Sequence, residues 1–241
     1  MELSWIDGDN PVFPHPSKAL AEPDGLLAVG GNLDASTLLT AYKKGIFPWY
    51  EETQPILWWS PAHRAVLKPG QEHIGKTLRK FLRTCDFRLS TNSAFDDVIA
   101  ACAAPRATAR GTWITGAMIS AYKELHRLGH AHSLECWHQD RLVGGLYGVQ
   151  VGALFCGESM FSRVSNGSKI AFVGLSQTLA RKGFKLIDCQ LENAHLLNLG
   201  VSVVPREHFL EMLAQAADEG IHWPQSTEFN SAISSFKECR Q

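Results

Sequence analysis

Apolar residues after residue 64 recur with helical spacing in some segments and with strand spacing in others. The segment 115–128 has helical spacing, with Thr115 as its capping residue and Gly129 just past its end. Three apolar segments separated by the short turns QDR and VG follow, and they predict an antiparallel meander. The full pattern predicts helices at 73–83, 115–128, 168–182, 193–199 and 206–217, and strands at 131–138, 142–150, 153–156, 184–189 and 201–204. This order predicts a mixed α/β fold (α+β) with an antiparallel part.

The first 62 residues differ in texture and are rich in Pro, Gly and Trp. Only one helix is predicted there, at 36–44, with Asp34 or Ser36 as its N-cap and Gly45 at its end. We therefore predict a small, irregular N-terminal domain at 1–63 with an aromatic core, and a second domain at 64–241. Because no low-complexity linker separates them, the two domains are expected to pack tightly.

Composition narrows the class of protein without specifying a function. The chain has 241 residues, of which 45% are hydrophobic and 20% charged, and a formal net charge of −1. A nucleic-acid site must then be a local basic patch, because the whole chain does not attract phosphate. The first residues, MELSWIDGDN, lack the pattern of a signal peptide, and no apolar run approaches the roughly 20 residues that cross a bilayer. We expect a cytoplasmic protein without a membrane partner.

The cysteines show no metal-binding or redox spacing. No two of them form a CxxC pair, which argues against a zinc ribbon or a thioredoxin-like motif. Reduced, buried thiols are the simplest interpretation of the six: Cys85, Cys102, Cys136, Cys156, Cys189 and Cys239.

A basic face is predicted on the helix at 73–83. Its four cations have i, i+3, i+4 and i+7 spacing, which places them on one side, opposite the apolar residues. Such a face can neutralise the phosphates of a nucleic-acid backbone. A solvated protein surface is the alternative. The four residues are Lys76, Arg79, Lys80 and Arg83.

Two tryptophans lie in sharply turned segments, Trp49 in GIFPWY and Trp113 in GTWIT. An exposed Trp beside a turn can stack on an unpaired base. The alternative is that each belongs to the hydrophobic core.

Glu158 is a carboxylate in the otherwise apolar segment LFCGESMFS. In such surroundings it is either paired or exposed in a cleft, and both conditions suit it to recognise a cation or handle a proton. The alternative is a structural carboxylate that accepts hydrogen bonds from nearby backbone N–H groups.

The segment LIDCQ is predicted to be a strand with polar residues near its end. Strand alternation places Asp188 and Gln190 on one face with Leu186, and Ile187 and Cys189 on the other. Polar side chains at the end of a buried strand often belong to a site in α/β proteins. Capping of the strand end is the alternative.

Other chemistries find little support. His126, His130 and His132 lack a nearby Cys or acidic cluster, so we expect no metal site. Ser159 lies in GESM rather than GxSxG, which argues against a nucleophile elbow. No GxxxxGK[ST] or GxGxxG spacing occurs, so no nucleotide-binding loop is predicted.

These segments together resemble the bacterial leucyl/phenylalanyl-tRNA–protein transferases. The resemblance extends over roughly residues 12–210, and GIFPWY, WWSP, GESMFS and LIDCQ in this order are specific to that family. It implies transfer of Leu or Phe, with Met as a further candidate, from aminoacyl-tRNA to the N-terminal Arg or Lys of an acceptor protein. The new N-terminus would mark the acceptor for degradation under the N-end rule. The implied fold is an N-terminal domain followed by a domain similar to GNAT acetyltransferases, and no cofactor is implied.

The resemblance also assigns roles to residues. Trp49 and Trp113 would hold the terminal adenosine of the tRNA, and the basic face would contact the acceptor stem. Five residues would form the pocket for the Leu or Phe side chain: Leu146, Phe155, Met160, Phe172 and Leu175. At three of them, Leu146, Phe172 and Leu175, this chain departs from the family's pattern of Met, Leu and Phe. The swaps roughly conserve apolar volume, so a pocket should survive, but they leave the Leu/Phe preference open.

The reaction implied needs neither ATP nor a covalent enzyme intermediate, because an aminoacyl ester is already activated. Gln190 would contact the attacking α-amine, with Asp188 polarising or orienting it. Since a neutral amide is a poor base, a ribose hydroxyl or water is the expected proton carrier. Glu158 and Asn193 would align the aminoacyl group, with Glu158 as a partner for its α-ammonium.

Two other classes of protein remain as alternatives. A CoA-dependent acetyltransferase needs a Q/R-x-x-G-x-G/A loop between strand and helix, and the nearest segment, RVSNGS at 163–168, has the wrong spacing. We therefore expect no CoA binding. A non-catalytic RNA-binding module would explain the basic face and the tryptophans but not the polar residues of LIDCQ.

Overall fold

The structure is a computed structural model that describes residues 3–104 and 113–238. Its first elements are short and come from the segment rich in Pro and Gly. They are β1 (Ser4–Ile6), β2 (Leu26–Gly30), α1 (Ala35–Lys43), β3 (Phe47–Pro48) and β4 (Leu57–Trp59). The four strands form one sheet in the order β1-β2-β4-β3, in which β1 and β2 are parallel and the other pairs antiparallel.

The rest of the described chain contains seven strands and seven α-helices. These are β5 (His63–Leu67), α2 (Lys76–Thr84), β6 (Phe87–Thr91), α3 (Phe95–Ala103), α4 (Gly116–Arg127), β7 (Ala131–His138), β8 (Arg141–Val151), β9 (Leu154–Ser162), α5 (Gly167–Lys182), β10 (Leu186–Gln190), α6 (Ala194–Asn198), β11 (Ser202–Pro205), α7 (Arg206–Ala216) and α8 (Ser226–Glu238).

The strands of this second part form a mixed sheet in the order β11-β5-β10-β9-β8-β7-β6. All its pairs are antiparallel except β9 and β10, which run parallel and are joined through the crossover helix α5. The predicted mixed α/β fold with an antiparallel part is therefore confirmed. No helix in the described part of the chain is long and apolar enough to cross a membrane.

The larger sheet is covered on both faces. One face packs with α3, α4 and α7 in a hydrophobic cluster that also contains the buried Tyr42, Ile46 and Trp58 of the N-terminal part. The other face packs with α2, α5 and α8 in a second cluster. The N-terminal part thus shares a core with one face of the larger sheet.

Local signals explain the helices predicted correctly. Thr115 caps α4 by accepting a hydrogen bond from the Met118 N–H, and Gly183 ends α5 in the left-handed conformation. The helix predicted at 73–83 begins only at Lys76, and the strand predicted at 153–156 continues to Ser162.

The pattern missed the four short strands of the N-terminal sheet, β5, β6, α3 and α8. Five of the six cysteines are free thiols, four of them buried and Cys189 partly buried, as expected of reduced cysteines. Cys239, and Gly111 and Thr112 of the GTWIT motif, lie outside the described residues.

Candidate active site

A half-open cavity of about 500 Å³ lies where β9 and β10 meet β3, α5 and α6. Its volume is in the range of sites that enclose small ligands. One end is apolar, and the other carries amide and carboxyl groups.

The apolar end contains all five residues expected to form a side-chain pocket. Phe155 and Met160 come from β9, Leu146 from β8, and Phe172 and Leu175 from α5. Ile187 and Leu196, which the sequence did not single out, complete this surface. Packing of a helix against three neighbouring strands therefore places the five residues around one space.

Both candidate tryptophans line the cavity. Trp49 is 40% exposed. Trp59 contacts it, and the Trp59 Nε1 donates a hydrogen bond to the Trp49 carbonyl at 2.6 Å. The two rings meet edge to face with centroids 5.5 Å apart. An exposed ring fixed in this way offers a free face for stacking.

A β-bulge on β9 directs Glu158 into the site. Tyr147 pairs with Ser159 and Gly148 with Gly157, so Glu158 is the extra residue between them. Gly148 permits the close approach, since a Cβ there would lie 2.1 Å from the carbonyl oxygen of Cys156. Bulges commonly redirect a side chain next to a site.

Glu158 is buried, with 8% of its surface exposed, and is surrounded by donors. Tyr42 Oη and Gln190 Nε2 both lie 2.7 Å from Oε1, and Tyr122 Oη lies 3.0 Å from Oε2. Burial raises the pKa of Glu158 to about 7, against the lowering effect of the two tyrosine hydroxyls. Burial likewise raises the pKa of Tyr42 and Tyr122, with Glu158 adding to the effect.

A second bulge, on β10, separates the side chains of Asp188 and Gln190. Asp188 pairs with Val66 and Gln190 with Ala65, which leaves Cys189 as the extra residue, and Gln190 has a φ of 61°. Gln190 therefore lines the cavity beside Ile187 and Cys189, whereas Asp188 does not. The prediction that Asp188 and Gln190 share a face was wrong, because strand alternation does not continue through a bulge. The two are connected instead through the Gln190 N–H, which donates to Asp188 Oδ1 at 2.9 Å.

Asp188 is fully buried and forms a bidentate pair with Arg64 of β5, with N–O distances of 2.8 and 2.7 Å. The Arg64 guanidinium also lies over the rings of Phe47 and Phe209, at 4.7 and 4.5 Å from their centroids. Burial alone would lower the pKa of Arg64, but the Asp188 carboxylate outweighs it and the pKa is raised. The pair connects β5, β10, β3 and α7 directly behind the cavity.

Asn193 and His195 lie at the side of the cavity. Asn193 caps α6, its Oδ1 accepting from the Leu196 N–H at 3.0 Å, and its amide nitrogen has no hydrogen-bond partner among the described residues. Burial, with help from Lys169, lowers the pKa of His195, which favours its neutral form. Sequence reasoning did not single out His195.

The basic face forms on α2 as expected, and Lys76, Arg79, Lys80 and Arg83 are all exposed. Lys76 also lines a second cavity, with Lys169 and His195. His195 lines both cavities, and of the four basic residues Lys76 alone is among those that line the second.

His126 and His132, two of the three histidines considered as metal ligands, stack on aromatic rings. His126 stacks on Phe95 and contacts the Ala131 carbonyl at 2.8 Å. His132 stacks on Trp223, and burial lowers its pKa to about 3. Within residues 3–104 and 113–238, no group of three or more His, Cys, Asp and Glu residues could hold a metal ion.

Tyr42, Tyr122 and Arg64 were missed by the sequence analysis although they contact the polar end. Each lies in an apolar segment and comes from a distant part of the chain, 116 residues away in the case of Tyr42 and Glu158. For the two tyrosines, the available signal was their position on the buried face of a predicted helix. That pattern is equally typical of an ordinary hydrophobic core.

The protein is thus of the mixed α/β class, with a cavity that combines an apolar pocket with amide and carboxyl groups. The model of the leucyl/phenylalanyl-tRNA protein transferase family matches residues 66–214, and the model of that family's N-terminal domain matches residues 31–62. The chain belongs to the leucyl/phenylalanyl-tRNA protein transferase family.

Relatives with that name are similar along nearly their whole length. The Aeromonas hydrophila protein is 56% identical over 88% of this chain and 91% of its own. The Pectobacterium atrosepticum protein is 51% identical, over 93% and 97% respectively. The solved structure of L-PGS from Bacillus licheniformis is much less similar, with a TM-score of 0.38 and 11% identity over 70% of this chain and 54% of that one.

Proposed function

We propose that the protein transfers Leu or Phe from aminoacyl-tRNA to the N-terminus of acceptor proteins, as the names of its relatives indicate. The observation that carries this proposal is the cavity, which joins an apolar pocket for the side chain to a polar end containing Gln190 and Glu158. Acceptors begin with Arg or Lys, and their new N-terminus is a degradation signal. An aminoacyl-tRNA substrate supports a cytoplasmic location for the reaction.

The side chain of the transferred residue enters the apolar pocket. Burying a Leu or Phe side chain contributes roughly 1.5–3 kcal/mol, enough to select apolar residues over polar ones. The terminal adenosine then lies at the rim, where Trp49 and Trp113 offer ring faces, and stacking on an aromatic side chain contributes about 1–3 kcal/mol per base.

The acceptor stem runs along α2. The four exposed cations of its basic face are free to meet phosphates, since none forms an ion pair within the described chain. The second cavity, with Lys76 and Lys169, leads from α2 to His195 at the edge of the main site. A 3′ strand following this route arrives with its ester at the polar end.

The chemistry is attack of the acceptor α-amine on the ester carbonyl, with departure of the ribose oxygen. Gln190 donates its Nε2 to Glu158, so its amide oxygen is available to accept a hydrogen bond from the amine. Asp188 holds the backbone of Gln190 through its N–H. Asn193 has a free amide N–H for the aminoacyl group, and no cofactor is needed since the ester is activated.

The site itself is formed by both parts of the chain, which we propose to divide at 1–63 and 64–241. The second part is a GNAT-like domain, and its antiparallel β6–β9 region followed by a crossover helix and the parallel strand β10 supports this assignment. The bulge at Glu158 occurs where the pairing of β9 with β10 gives way to the cavity.

The test is transfer of labelled Leu or Phe from charged tRNA to a peptide that begins with Arg. We expect label in the peptide, and none in a peptide of the same sequence whose N-terminus is acetylated.

Trp49→Ala should raise the KM for aminoacyl-tRNA by roughly tenfold, because the terminal base loses the ring on which it stacks. The matched control is Trp5→Ala, a more exposed tryptophan outside the cavity. Absence of label, or acetylation of the peptide from acetyl-CoA instead, would contradict the proposal.

A further inference from the structure

Three hydroxyl and carboxyl groups form a closed triangle behind the polar end of the cavity. Tyr42 Oη lies 2.5 Å from Tyr122 Oη and 2.7 Å from Glu158 Oε1, and Tyr122 Oη lies 3.0 Å from Glu158 Oε2. All three side chains are buried. Each separation is that of an O–H···O hydrogen bond.

The number of protons available decides the charge of this triangle. Three contacts between oxygens need three protons, and the two tyrosines supply one each. If Glu158 were ionised, only two protons would serve the three contacts, and one contact would lack a proton in any arrangement. With both tyrosines donating to the carboxylate, it is the 2.5 Å contact between their own oxygens. A protonated Glu158 supplies the missing proton. Its Oε2 then donates to Tyr122, Tyr122 donates to Tyr42, and Tyr42 donates to Oε1.

We infer that Glu158 is a neutral carboxylic acid that closes a hydrogen-bond ring with Tyr42 and Tyr122, and that this ring positions the Gln190 amide for the incoming amine. The inference rests on the proposed function for its last step. Tyr42 and Tyr122 are thereby positioning residues, which act on the reaction through Glu158 and Gln190.

The groups around the ring favour the neutral acid. Arg64 lowers the pKa of Glu158, but Asp188, which forms a bidentate pair with Arg64, raises it. Tyr147 packs edge-on against Tyr122, and its hydroxyl has no partner among the described residues. The Cys156 thiol is buried, and burial raises its pKa, which keeps it uncharged. A pKa of about 7 for Glu158 agrees with the proton count.

The neutral acid has a consequence for the reaction. The acceptor must attack as an uncharged amine, and an anion beside it would stabilise the ammonium form and raise its pKa. A neutral Glu158 does not. Its Oε1 still accepts from Gln190 Nε2, which turns the Gln190 amide oxygen to the cavity. This role replaces the expectation that Glu158 pairs with an α-ammonium group.

Infrared spectroscopy tests the ring without any substrate. We expect the difference spectrum, in which the spectrum of the Glu158→Gln variant is subtracted from that of the parent protein, to show the carbonyl band of a protonated carboxylic acid at about pH 6. The band should fade near pH 7. Tyr42→Phe and Tyr122→Phe each open the ring and change the number of contacts and protons around Glu158, so each should shift the pH at which the band fades. Tyr147→Phe makes the same change outside the ring and should not move it. A carboxylate band at all these pH values would overturn the inference.

Kinetics test the positioning role. Glu158→Gln can rebuild the ring, because its NH₂ donates to Tyr122 and its oxygen accepts from Tyr42 and Gln190. It should keep kcat within roughly tenfold of the parent, about the effect of one hydrogen bond, while Glu158→Ala loses far more. After correction for uncharged peptide amine, kcat/KM of the parent should fall above about pH 7, and that of Glu158→Gln should not.

The outcomes separate the two proposals. A Glu158→Gln variant as inactive as Glu158→Ala would mean that the anion acts in the reaction, and the inference would be wrong. If the parent transfers no Leu or Phe, the proposed function fails while the infrared result still stands.

Discussion

Asp188 and Gln190 stand two positions apart on β10, yet they do different work. Gln190 faces the cavity, while Asp188 lies behind it with Arg64 and holds the Gln190 N–H. The polar end thus consists of the Gln190 amide, supported by two buried carboxyl groups that differ in their charge and in their partners. Asp188 is paired with the Arg64 cation, whereas Glu158 belongs to the hydrogen-bond ring that it forms with Tyr42 and Tyr122.

Replacing Asp188 by Asn should lower the free energy of unfolding by about 3–5 kcal/mol, because Arg64 is left as an unpaired buried cation. Turnover should fall while tRNA affinity is kept, since Asp188 does not line the cavity. Urea titration, turnover and filter binding measure the three effects.

The double variant Arg64→Met, Asp188→Leu separates packing from catalysis. Replacing both members of a buried pair by apolar residues is often close to neutral for stability. We therefore expect stability to recover and turnover to stay low, because the acceptor of the Gln190 N–H is gone. Recovery of both would show that Asp188 serves packing alone.

The sequence could single out polar residues of the candidate site but not the directions of their side chains. Apolar flanks made Glu158, Asp188 and Gln190 stand out. Their directions depend on two bulges, which arise from pairing with β8 and β5 and leave no mark in the strands' own alternation. Tyr42 and Tyr122 have the sequence pattern of core residues, and both are in fact buried in the core. Their hydroxyls reach Glu158 only because distant parts of the chain pack together.

At the scale of elements, local signals decide what could be predicted. The ends of α1, α4 and α5 were readable because a capping residue or a left-handed glycine marks each of them. In contrast, α3 has Ala94 at its N-cap position without a side-chain hydrogen bond, and β3 has only two residues, one of them Pro48. Such elements form because the fold holds them, so the local pattern could not predict them.

The basic helix α2 allows a charge test of the tRNA path. Arg79→Glu with Lys80→Glu should weaken aminoacyl-tRNA binding and make its salt dependence shallower, by about 0.7–0.9 in the log–log slope for each phosphate that is no longer neutralised. The reason is that each cation that meets a phosphate releases a counterion. Titrations at several salt concentrations measure both quantities.

A control for this test comes from cations elsewhere on the surface. Arg127 lies at the end of α4, and Lys185 precedes β10 at the end of the strand opposite Gln190. Arg127→Glu with Lys185→Glu makes the same change in net charge away from α2. An equal fall in affinity in both double variants would indicate a general charge effect rather than a path along α2.

At the scale of the whole molecule, the N-terminal part completes the site as well as the core. It supplies Tyr42 to the ring and Trp49 to the rim, and Phe47 packs on Arg64. Arg206 of α7 donates to the carbonyls of Pro16 and Pro61, which fastens the N-terminal loops to the second part. Tight packing was expected from the missing linker, and the shared hydrophobic cluster confirms it.

A core shared in this way should unfold as a unit. In a chain with two independent cores, separate transitions are common. Here Ile46 of the N-terminal part and Tyr122 of the second part belong to one cluster, so loss of either part exposes the apolar surface of the other. Calorimetry should show a single transition whose calorimetric and van't Hoff enthalpies agree.

Ile46→Ala, a large-to-small change at a fully buried site, should move the entire transition and lower the free energy of unfolding by about 2–5 kcal/mol. Ile233→Ala in α8, on the opposite face of the sheet, should move the same transition. If Ile46→Ala instead splits off an early transition, while Ile233→Ala shifts only the later one, the N-terminal part folds independently and the site is assembled by docking rather than by one cooperative fold.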